Sequence, residues 1–301
     1  MNAPHPRVLV LLATYNGERW LDEQLASLFA QQGVDIAVVA SDDRSVDGSL
    51  AVLHRWAAER ELHCLAPPLT RLGSANRNFL RLIRDADPET FTHVALADQD
   101  DIWSADKCLR AVTTIAERGA DAYSSDVVAF WPDGRHKRLR KSQPPRTYDH
   151  LFESAGPGCT FVFRREAFVR LQRWVAANFE RLQAVKVHDW LIYAFARTNQ
   201  WTWFIDTQTN VMYRQHGGNE IGANAGPRAV VRRIRAVLSG AFRHDVLAIA
   251  AAVDDRSWVA AALRRFAPLD RIRLALHFRQ LRRRLRDQAL LAVLLLVMRR
   301  T

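Results

Sequence analysis

The first 120 residues alternate short apolar runs with segments whose apolar residues recur at helical spacing. The apolar runs have the length of β-strands and occupy residues 7–13, 36–40 and 92–97. The helical segments occupy residues 19–32, 50–61 and 105–118. Strands that are apolar throughout and separated by helices are typical of a parallel sheet covered on both faces. The pattern therefore predicts an α/β fold.

After residue 120 the pattern becomes less regular. Strand-like runs alternate with helical segments and with two loops, one rich in Pro and Arg and one rich in Gly. In chain order these are a strand over 122–130, a loop over 131–146, a strand over 158–163, helices over 165–176 and 187–197, a strand over 202–213 and a loop over 217–227. Beyond residue 228 only helices are predicted. We therefore expect a first domain over residues 1–227, with halves 1–120 and 121–227, and a helical extension over residues 228–301.

Polar residues follow directly after three of the predicted strands. Asn16, residues 42–47 and residues 98–101 all occupy such positions. Ligands of open parallel sheets bind at the carboxyl ends of the strands. These residues are therefore expected to meet along one edge of the sheet, although they are far apart in sequence.

The stretch FTHVALADQDDIW carries a buried strand directly into a cluster of acids. Asp98 and Asp100 are two residues apart, so in an extended segment their side chains project from the same side. One or two carboxylates plus substrate phosphates are the usual ligands of Mg²⁺, and Mn²⁺ favours similar oxygen ligands. The alternative is an acidic loop at the N-terminus of the helix over 105–118, where carboxylates are favoured.

A second acidic cluster, SDDRSVDGS, follows the second strand. A carboxylate such as Asp42 can accept hydrogen bonds from a nucleotide base or from ribose hydroxyls, whereas Asp47 can serve as the N-cap of the next helix. ATYNGERW follows the first strand in place of a Gly-x-Gly-x-x-Gly sequence, and no Walker A sequence occurs. Dinucleotide-binding and P-loop folds are therefore not indicated.

The net charge of +11 is concentrated at the C-terminus, because residues 228–301 carry 17 arginines and 5 aspartates. Residues 271–286 place Leu274, Phe278, Leu281 and Leu285 at helical spacing, with arginines largely on other faces. This pattern predicts a basic amphipathic helix that lies on an anionic membrane surface. The alternative is a solvated helix whose leucines pack against the first domain. No RNA-binding signature accompanies the charge, so nucleic acid is not an expected partner.

Two further features limit the class of protein to which the chain can belong. The apolar run over residues 289–298 is too short to cross a bilayer, and no signal peptide is recognised at the N-terminus. The three cysteines, Cys64, Cys108 and Cys159, show no CxxC spacing. This argues against a disulfide framework and a zinc site, and predicts a reduced, cytoplasmic environment.

Three of these motifs carry a resemblance to a known family. ATYNG at 13–17, SDDRSVDGS at 41–49 and ADQDDIW with Lys107 resemble the inverting family 2 glycosyltransferases of GT-A fold. The spelling DQDDIW, together with YRQHGGNEIGA at 213–223, is most similar to the rhamnosyltransferase-like branch. Arg44 stands where the common pattern has Gly, and a right-handed backbone turn is still expected there. The resemblance implies one nucleotide-binding α/β/α sandwich with a helical C-terminal extension.

The resemblance also implies roles for individual residues. Asp42 would contact the pyrimidine base, Asp98 the ribose or the metal, and Asp100 the metal, with His216 as a further metal or diphosphate ligand. The cofactor would be Mg²⁺ or Mn²⁺. The residues expected to contact the nucleotide sugar are Thr14, Tyr15, Asn16, Asp42, Asp98, Lys107 and Arg214.

The second half of the first domain would bind the acceptor. An inverting transfer needs a base, and the resemblance implies Asp189, which lies at the start of the helix over residues 187–197. Gly158, Cys159 and Trp190 are the candidate acceptor contacts. The alternatives are turn formation for the glycine and core packing for Trp190.

The leading hypothesis is therefore a metal-dependent inverting transfer of a sugar from a nucleoside-diphosphate sugar. The donor would be dTDP-rhamnose or a UDP-sugar, and the acceptor a polysaccharide or a lipid-linked glycan at the inner face of the plasma membrane. One alternative is nucleotidyl transfer, which releases pyrophosphate. The other is a non-catalytic nucleotide-binding module attached to a membrane.

Overall fold

The computed structural model describes residues 5–216 and 240–298. The helices are α1 (Glu18–Phe29), α2 (Ser49–Ala57), α3 (Ala75–Asp85), α4 (Lys107–Arg118), α5 (Arg165–Leu182), α6 (His188–Thr198), α7 (Ala241–Ala252), α8 (Trp258–Arg265), α9 (Pro268–Leu276) and α10 (Leu285–Val297). The strands are β1 (Arg7–Thr14), β2 (Asp35–Asp42), β3 (Leu62–Cys64), β4 (His93–Asp98), β5 (Ile102–Trp103), β6 (Ala122–Ser125), β7 (Val127–Phe130), β8 (His136–Leu139), β9 (Val162–Arg164), β10 (Trp203–Asp206) and β11 (Val211–Arg214).

The main sheet has seven strands in the order β10-β6-β9-β4-β1-β2-β3. The central strand β1 pairs in parallel with β2 on one side and β4 on the other. β9 is the exception, because it runs antiparallel to both β4 and β6. A second sheet has the order β5-β11-β7-β8. The mixed α/β architecture predicted from the sequence is confirmed.

The apolar runs became strands because both of their faces are covered. In β1, Val8, Val10 and Leu12 face the cluster that also contains Leu21 and Leu25 of α1. The alternate residues of the same strand are equally buried. Since neither face of β1 meets water, the run shows no alternation of polar and apolar residues.

Two predicted strands are each divided between the sheets. The run over 122–130 forms β6 in the main sheet and β7 in the second sheet, and the run over 202–213 divides into β10 and β11. Asp126 stands between β6 and β7 and accepts backbone N–H bonds from Lys141 at 2.7 Å and Ser142 at 2.9 Å. A buried carboxylate satisfied in this way interrupts the strand without leaving a polar group unpaired.

The described chain divides into two compact units. The first comprises the described residues of 5–142, 156–183 and 201–216, and contains both sheets. The second comprises the described residues of 143–155, 184–200 and 240–298. The expected domain boundary at residues 227 and 228, the loop over 217–227 and the last part of YRQHGGNEIGA lie outside the described residues.

The second unit has its own apolar core. α7, α8, α9 and α10 enclose it together with Leu151 and Phe152, which come from much earlier in the chain. In the described part of the chain, no helix has both the length and the apolar character needed to cross a bilayer.

The single amphipathic helix predicted over 271–286 is wrong. α9 ends at Leu276, a 3-10 turn follows at Phe278–Gln280, and α10 begins only at Leu285. Leu274 and Leu281 are fully buried in the core of the second unit. The helix is interrupted because Arg283 turns inward, where its backbone N–H donates to Glu153 Oε1 at 2.6 Å.

Arg283 is fully buried and joins an ionic network at the centre of the second unit. Its Nη1 atom lies 3.1 Å from Asp149 Oδ2, and its Nη2 atom lies 3.6 Å from Glu153 Oε2. Asp149 also accepts hydrogen bonds from Tyr193 at 3.1 Å and from Arg197 at 2.9 Å, both on α6. The network therefore connects the C-terminal segment to α6 through a single carboxylate.

The Arg283→Met variant is expected to be less stable by about 3–5 kcal/mol, because it leaves buried carboxylates without a counter-charge. Arg284→Met is the matched control, since Arg284 is the exposed neighbour in the chain. It should change the free energy of unfolding by no more than about 0.5 kcal/mol. Urea unfolding monitored by circular dichroism measures both values. Equal effects of the two substitutions would contradict the structural role of Arg283.

Candidate active site at the carboxyl edge of the main sheet

The ends of β1, β2 and β4 bring the predicted polar residues together. In the sheet register Thr14 lies opposite Asp42, and Ala13 lies opposite Asp98. The Thr14 hydroxyl donates to Asp42 Oδ2 at 2.9 Å. The expectation that these acids meet along one edge is confirmed, and its cause is the parallel pairing of β1 with both neighbours.

The loops after β1 and β2 are bound to each other by polar contacts. Ser45 donates to Asp42 through its backbone N–H at 2.7 Å and through its hydroxyl at 2.6 Å. The same hydroxyl accepts the Asn16 N–H at 2.8 Å, and Asn16 Oδ1 accepts the Val46 N–H at 2.9 Å. Asp42 is therefore held in a fixed orientation at the edge of the sheet.

The right-handed turn expected at Arg44 is wrong. Arg44 has a φ of 60°, in the left-handed region that glycine adopts at low cost. Its Nη1 atom donates to the carbonyl oxygens of Pro68 at 3.1 Å and Leu69 at 3.2 Å. These bonds offset part of the backbone strain and bring the segment around residue 70 towards the edge.

Gln99 and Tyr15 form a reciprocal pair that the sequence did not indicate. Gln99 Oε1 accepts the Tyr15 N–H at 2.8 Å, and Gln99 Nε2 donates to the Tyr15 carbonyl at 2.9 Å. Gly17 makes room for this pair, because a Cβ atom there would lie 2.3 Å from Gln99 Oε1. The middle residue of the Asp98-Gln99-Asp100 motif thus fixes the backbone of the ATYNG loop.

Arg71 is a second residue that the sequence did not indicate. Its guanidinium lies 3.9 Å from the centroid of the Tyr15 ring. Asp43 positions the segment by accepting the Gly73 N–H at 2.8 Å and by lying 3.9 Å from Arg71 Nε. The sequence does contain a signal for this contact, namely Asp43, the second acid of SDDRS. Asp47 alone suffices to cap the next helix, so Asp43 is available for another role.

The acids after β4 are engaged by residues of and after β11. His216 Nε2 lies 2.6 Å from Asp100 Oδ2, and its ring stacks on Trp20 with centroids 4.0 Å apart. The Arg214 N–H donates to Asp101 Oδ1 at 3.1 Å, and Arg214 Nε donates to the Asp100 carbonyl at 2.7 Å. Arg214 and His216 therefore reach the acidic motif although more than 110 residues separate them from it.

The remaining charge of Arg214 is directed to α1. Its Nη2 atom contacts Glu23, and its guanidinium lies 4.5 Å from the Phe130 ring centroid. The guanidinium is therefore fixed by protein groups in this structure. Any contact with a phosphate would be made beside these partners.

Asp98, Asp101 and Cys159 form a compact group whose candidate ligand atoms all lie within 4.8 Å of one another. Burial, and then the charge of Asp100, raise the pKa of Asp101 to about 8. Burial, and then the charge of Asp101, raise the pKa of the Cys159 thiol well above its ordinary value. A protonated thiol does not bind Mg²⁺ or Mn²⁺, so Cys159 does not suit such an ion, whereas carboxylate oxygens are the ligands that these ions favour.

Three residues predicted to contact substrates are buried inside the protein. Lys107 is buried, its Nζ atom lies 3.1 Å from the Trp103 ring centroid, and burial lowers its pKa to about 8. Gly158 and Cys159 lie in a buried 3-10 turn, Gly158–Thr160. We therefore leave Lys107, Gly158 and Cys159 out of the substrate contacts proposed below. The cause is tertiary packing, which a motif does not reveal.

Asp189 and Trp190 belong to the second unit. Asp189 lies in the first turn of α6, and burial lowers the pKa of the preceding His188 to about 3, so that ring is neutral. Trp190 Nε1 donates to the His150 carbonyl at 2.8 Å, and its ring stacks on Phe242 with centroids 6.2 Å apart. The core-packing alternative therefore describes Trp190 in this structure.

The fold described above is of the GT-A type, and comparison with known proteins gives the family. The chain belongs to glycosyl transferase family 2, whose family model matches residues 9–172. It is therefore a glycosyltransferase, as the motifs at 13–17, 41–49 and 97–103 predicted. GT-A glycosyltransferases typically use a divalent metal ion.

One relative indicates which branch of the family the chain resembles. The chain is 37% identical over 287 residues to the dTDP-rhamnosyl transferase RfbG of Shigella flexneri. The matched region covers 95% of this chain and 99% of that relative. The predicted resemblance to rhamnosyltransferases is confirmed.

Solved structures support the fold. TarS 1–349 of S. aureus in complex with UDP-GlcNAc is similar with a TM-score of 0.60 and 16% identity, over 95% of this chain and 79% of that one. The same protein in complex with UDP gives a TM-score of 0.57 and 17% identity, over 89% and 71%. At these identities the likeness shows the GT-A fold.

Gly17→Ala is expected to displace the Gln99 side chain and break both of its bonds to Tyr15. Because two hydrogen bonds of about 1 kcal/mol each are lost, the KM for the sugar donor should rise roughly thirtyfold, with a smaller effect on kcat. Gln99→Ala provides the matched comparison, because the double variant should then be no worse than Gln99→Ala alone. Steady-state kinetics of all three variants gives the KM and kcat values that test this explanation. A full Gly17→Ala effect in the Gln99→Ala background would exclude this explanation.

Proposed function

We propose that this protein transfers a sugar, with inversion at the anomeric carbon, from a nucleoside-diphosphate sugar to a glycan hydroxyl. The observation that carries the proposal is the shared edge of β1, β2 and β4, where the Thr14–Asp42 pair stands beside the acids that begin at Asp98. A nucleoside diphosphate needs acceptors for its base and ribose and positive charge for its phosphates. The carboxylates at this edge can serve as the hydrogen-bond acceptors.

We assign the nucleoside to the first three loops of the edge. Asp42 accepts from the base, and Thr14, Tyr15 and Asn16 line the pocket. We add Arg71 to this group, because its guanidinium lies 3.9 Å from the centroid of the Tyr15 ring. Arginine stacked in this way still has N–H donors available at its edge for phosphate or base oxygens.

We assign a divalent ion, Mg²⁺ or Mn²⁺, to Asp98, Asp100 and His216. The Asp100–His216 contact of 2.6 Å places an oxygen and a nitrogen ligand side by side. Asp101, next in the chain, is buried beside them, and burial, followed by the charge of Asp100, raises its pKa to about 8. When bound, such an ion supplies positive charge to the departing diphosphate.

Asp189 is the proposed base. Its carboxylate takes the proton of the acceptor hydroxyl while that oxygen bonds to the anomeric carbon from the face opposite the diphosphate. The bond from the anomeric carbon to the diphosphate oxygen breaks, and the nucleoside diphosphate leaves with the electron pair.

The proposed donor is dTDP-rhamnose, with a UDP-sugar as the alternative. The support is the similarity to RfbG of Shigella flexneri, a dTDP-rhamnosyl transferase. The proposed acceptor is a growing polysaccharide or a lipid-linked glycan, which would place the enzyme on the inner face of the plasma membrane.

The donor and the ion can be tested together. With dTDP-rhamnose and a glycan acceptor, the product should be dTDP, whereas nucleotidyl transfer would release pyrophosphate. Asp100→Asn should lower turnover at least about a hundredfold, because the ion loses a ligand. Asp133→Asn, an exposed acid of the first unit, is the control and should leave turnover unchanged.

A binding readout separates loss of the ion from loss of folding. Mn²⁺ should add to the rise in melting temperature that dTDP produces in the unaltered chain, since a ligand of the folded state stabilises by mass action. Asp100→Asn should fold but lose the Mn²⁺-dependent increment. An increment that persists in this variant would reject Asp100 as a ligand.

Asp189→Asn should retain donor binding and lose about 10²- to 10⁴-fold in kcat, the usual contribution of a general base. The limb of the kcat–pH profile that reports deprotonation of the base should disappear with it. Asp254→Asn, an exposed acid of the second unit, is the matched control. A variant with normal kcat would require another base.

A further inference from the structure

α10 is apolar on the side that faces solvent as well as on the side that faces the core. Leu291, Leu294 and Leu295 are buried in the second unit. The opposite side presents Leu290, Val293, Leu296 and Val297, and Val293 is 60% exposed. A helix on the surface of a soluble domain normally carries polar residues on its outer side. This side therefore needs an explanation other than the core of the protein.

The neighbouring helix α9 repeats the feature. Leu269, Ile272 and Leu276 are exposed, with Leu269 79% and Leu276 74% accessible. Their spacing of three and four residues places them on one side of the helix. α9 packs against α10, and Arg271 Nε of α9 donates to the Leu295 carbonyl of α10 at 3.0 Å.

Together these side chains form what we call the apolar face. It consists of Leu269, Ile272, Leu276, Leu285, Leu290, Val293, Leu296 and Val297.

The charges around the apolar face have one sign. Over residues 268–298 every exposed charged residue is an arginine, namely Arg273, Arg279, Arg284 and Arg286. The two acids of this stretch are compensated within the protein. Asp270 is bonded to Arg265 at 2.6 Å, and Asp287 lies 3.5 Å from Arg286 and 4.0 Å from Arg282. The surface thus combines aliphatic side chains with an excess of positive charge, because the exposed arginines outnumber the acids of this stretch.

We propose that the apolar face inserts into the headgroup and acyl boundary of an anionic lipid bilayer, with the four exposed arginines on the lipid phosphates. α9 and α10 are too short to span a bilayer, and helices of this composition lie in the plane of the interface. This proposal assigns the membrane contact of the proposed function to particular side chains. It rests on the proposed function only for the reason why the enzyme would bind a membrane.

These are not the side chains that the sequence pattern indicated. Leu274 and Leu281, which belonged to the expected amphipathic stripe, are in the core of the second unit. Only Leu285 belongs both to that stripe and to the apolar face.

A second copy of the chain is a less suitable occupant than lipid. A twofold contact buries the same patch on both copies, so it would bring the arginines of the two copies to one interface. Like charges at such an interface oppose association, whereas anionic headgroups compensate them.

The test is flotation of the full-length chain with vesicles of phosphatidylglycerol and phosphatidylethanolamine at low salt. Val293→Asp combined with Leu296→Asp should lower the partition coefficient by on the order of tenfold or more, because two charged groups replace inserting aliphatic ones. The control combines Val46→Asp with Leu69→Asp, which makes the same change at exposed apolar residues of the first unit. It should float like the unaltered chain. Equal flotation of both double variants would overturn the proposal.

Salt and lipid charge give an independent readout. Vesicles of phosphatidylcholine, or high salt, should weaken flotation of the unaltered chain, since the arginine contribution is screened. The oligomeric state without vesicles is measured by light scattering. A dimer that the Val293→Asp and Leu296→Asp substitutions convert to a monomer, with no flotation of either form, would assign the apolar face to a second copy and overturn the lipid assignment.

A fluorophore locates the inserted surface. Ala289→Cys in a Cys64→Ser background, labelled with an environment-sensitive dye, places a reporter on the exposed side of α10; the other cysteines, Cys108 and Cys159, are buried. The emission should shift to the blue on addition of anionic vesicles. An unshifted emission during flotation would show that another surface binds the lipid.

The membrane proposal and the proposed function can fail separately. Hydrolysis of the donor in solution should be the same with and without the Val293→Asp and Leu296→Asp substitutions. Failure of the membrane proposal is therefore distinguishable from failure of the proposed function.

Discussion

The parallel pairing of β1 with both β2 and β4 is the constraint on which the candidate site depends. Three strands that run in one direction end at one edge, so the loops that follow them meet there. Thr14 bonds to Asp42 across one of these pairings, and Gln99 bonds to Tyr15 across the other. Polar residues from three distant segments thereby come together at one edge of the sheet.

That edge concentrates negative charge, and the protein compensates it unevenly. Asp42 receives hydroxyl and backbone donors, and Asp100 faces His216. Asp101 is buried beside Asp100, and burial, followed by the charge of Asp100, raises its pKa to about 8. The divalent ion proposed above would add positive charge at this acidic edge, where it could also contact phosphate oxygens.

The second unit uses arginine in two different ways. Arg283 is enclosed and neutralises Asp149 and Glu153, so it belongs to the interior and connects the C-terminal segment to the helix of Asp189. Arg284 and Arg286, one and three residues further on, are exposed beside the apolar face. The strongly basic composition of the tail therefore combines a structural charge with charges available to a partner. This division explains why net charge alone describes the tail poorly.

The sequence by itself determined the α/β fold, the edge at which the acids meet and the glycosyltransferase family, because strand burial and strand-end motifs are local patterns. Only the tertiary structure decided that Lys107 is enclosed, that Arg44 adopts a left-handed backbone, and that Leu274 and Leu281 face the core. Gln99 and Arg71 likewise acquired their contacts with Tyr15 through folding. The physical reason is that periodicity shows which residues share one side of a helix, whereas neighbours far away in sequence decide whether that side is covered.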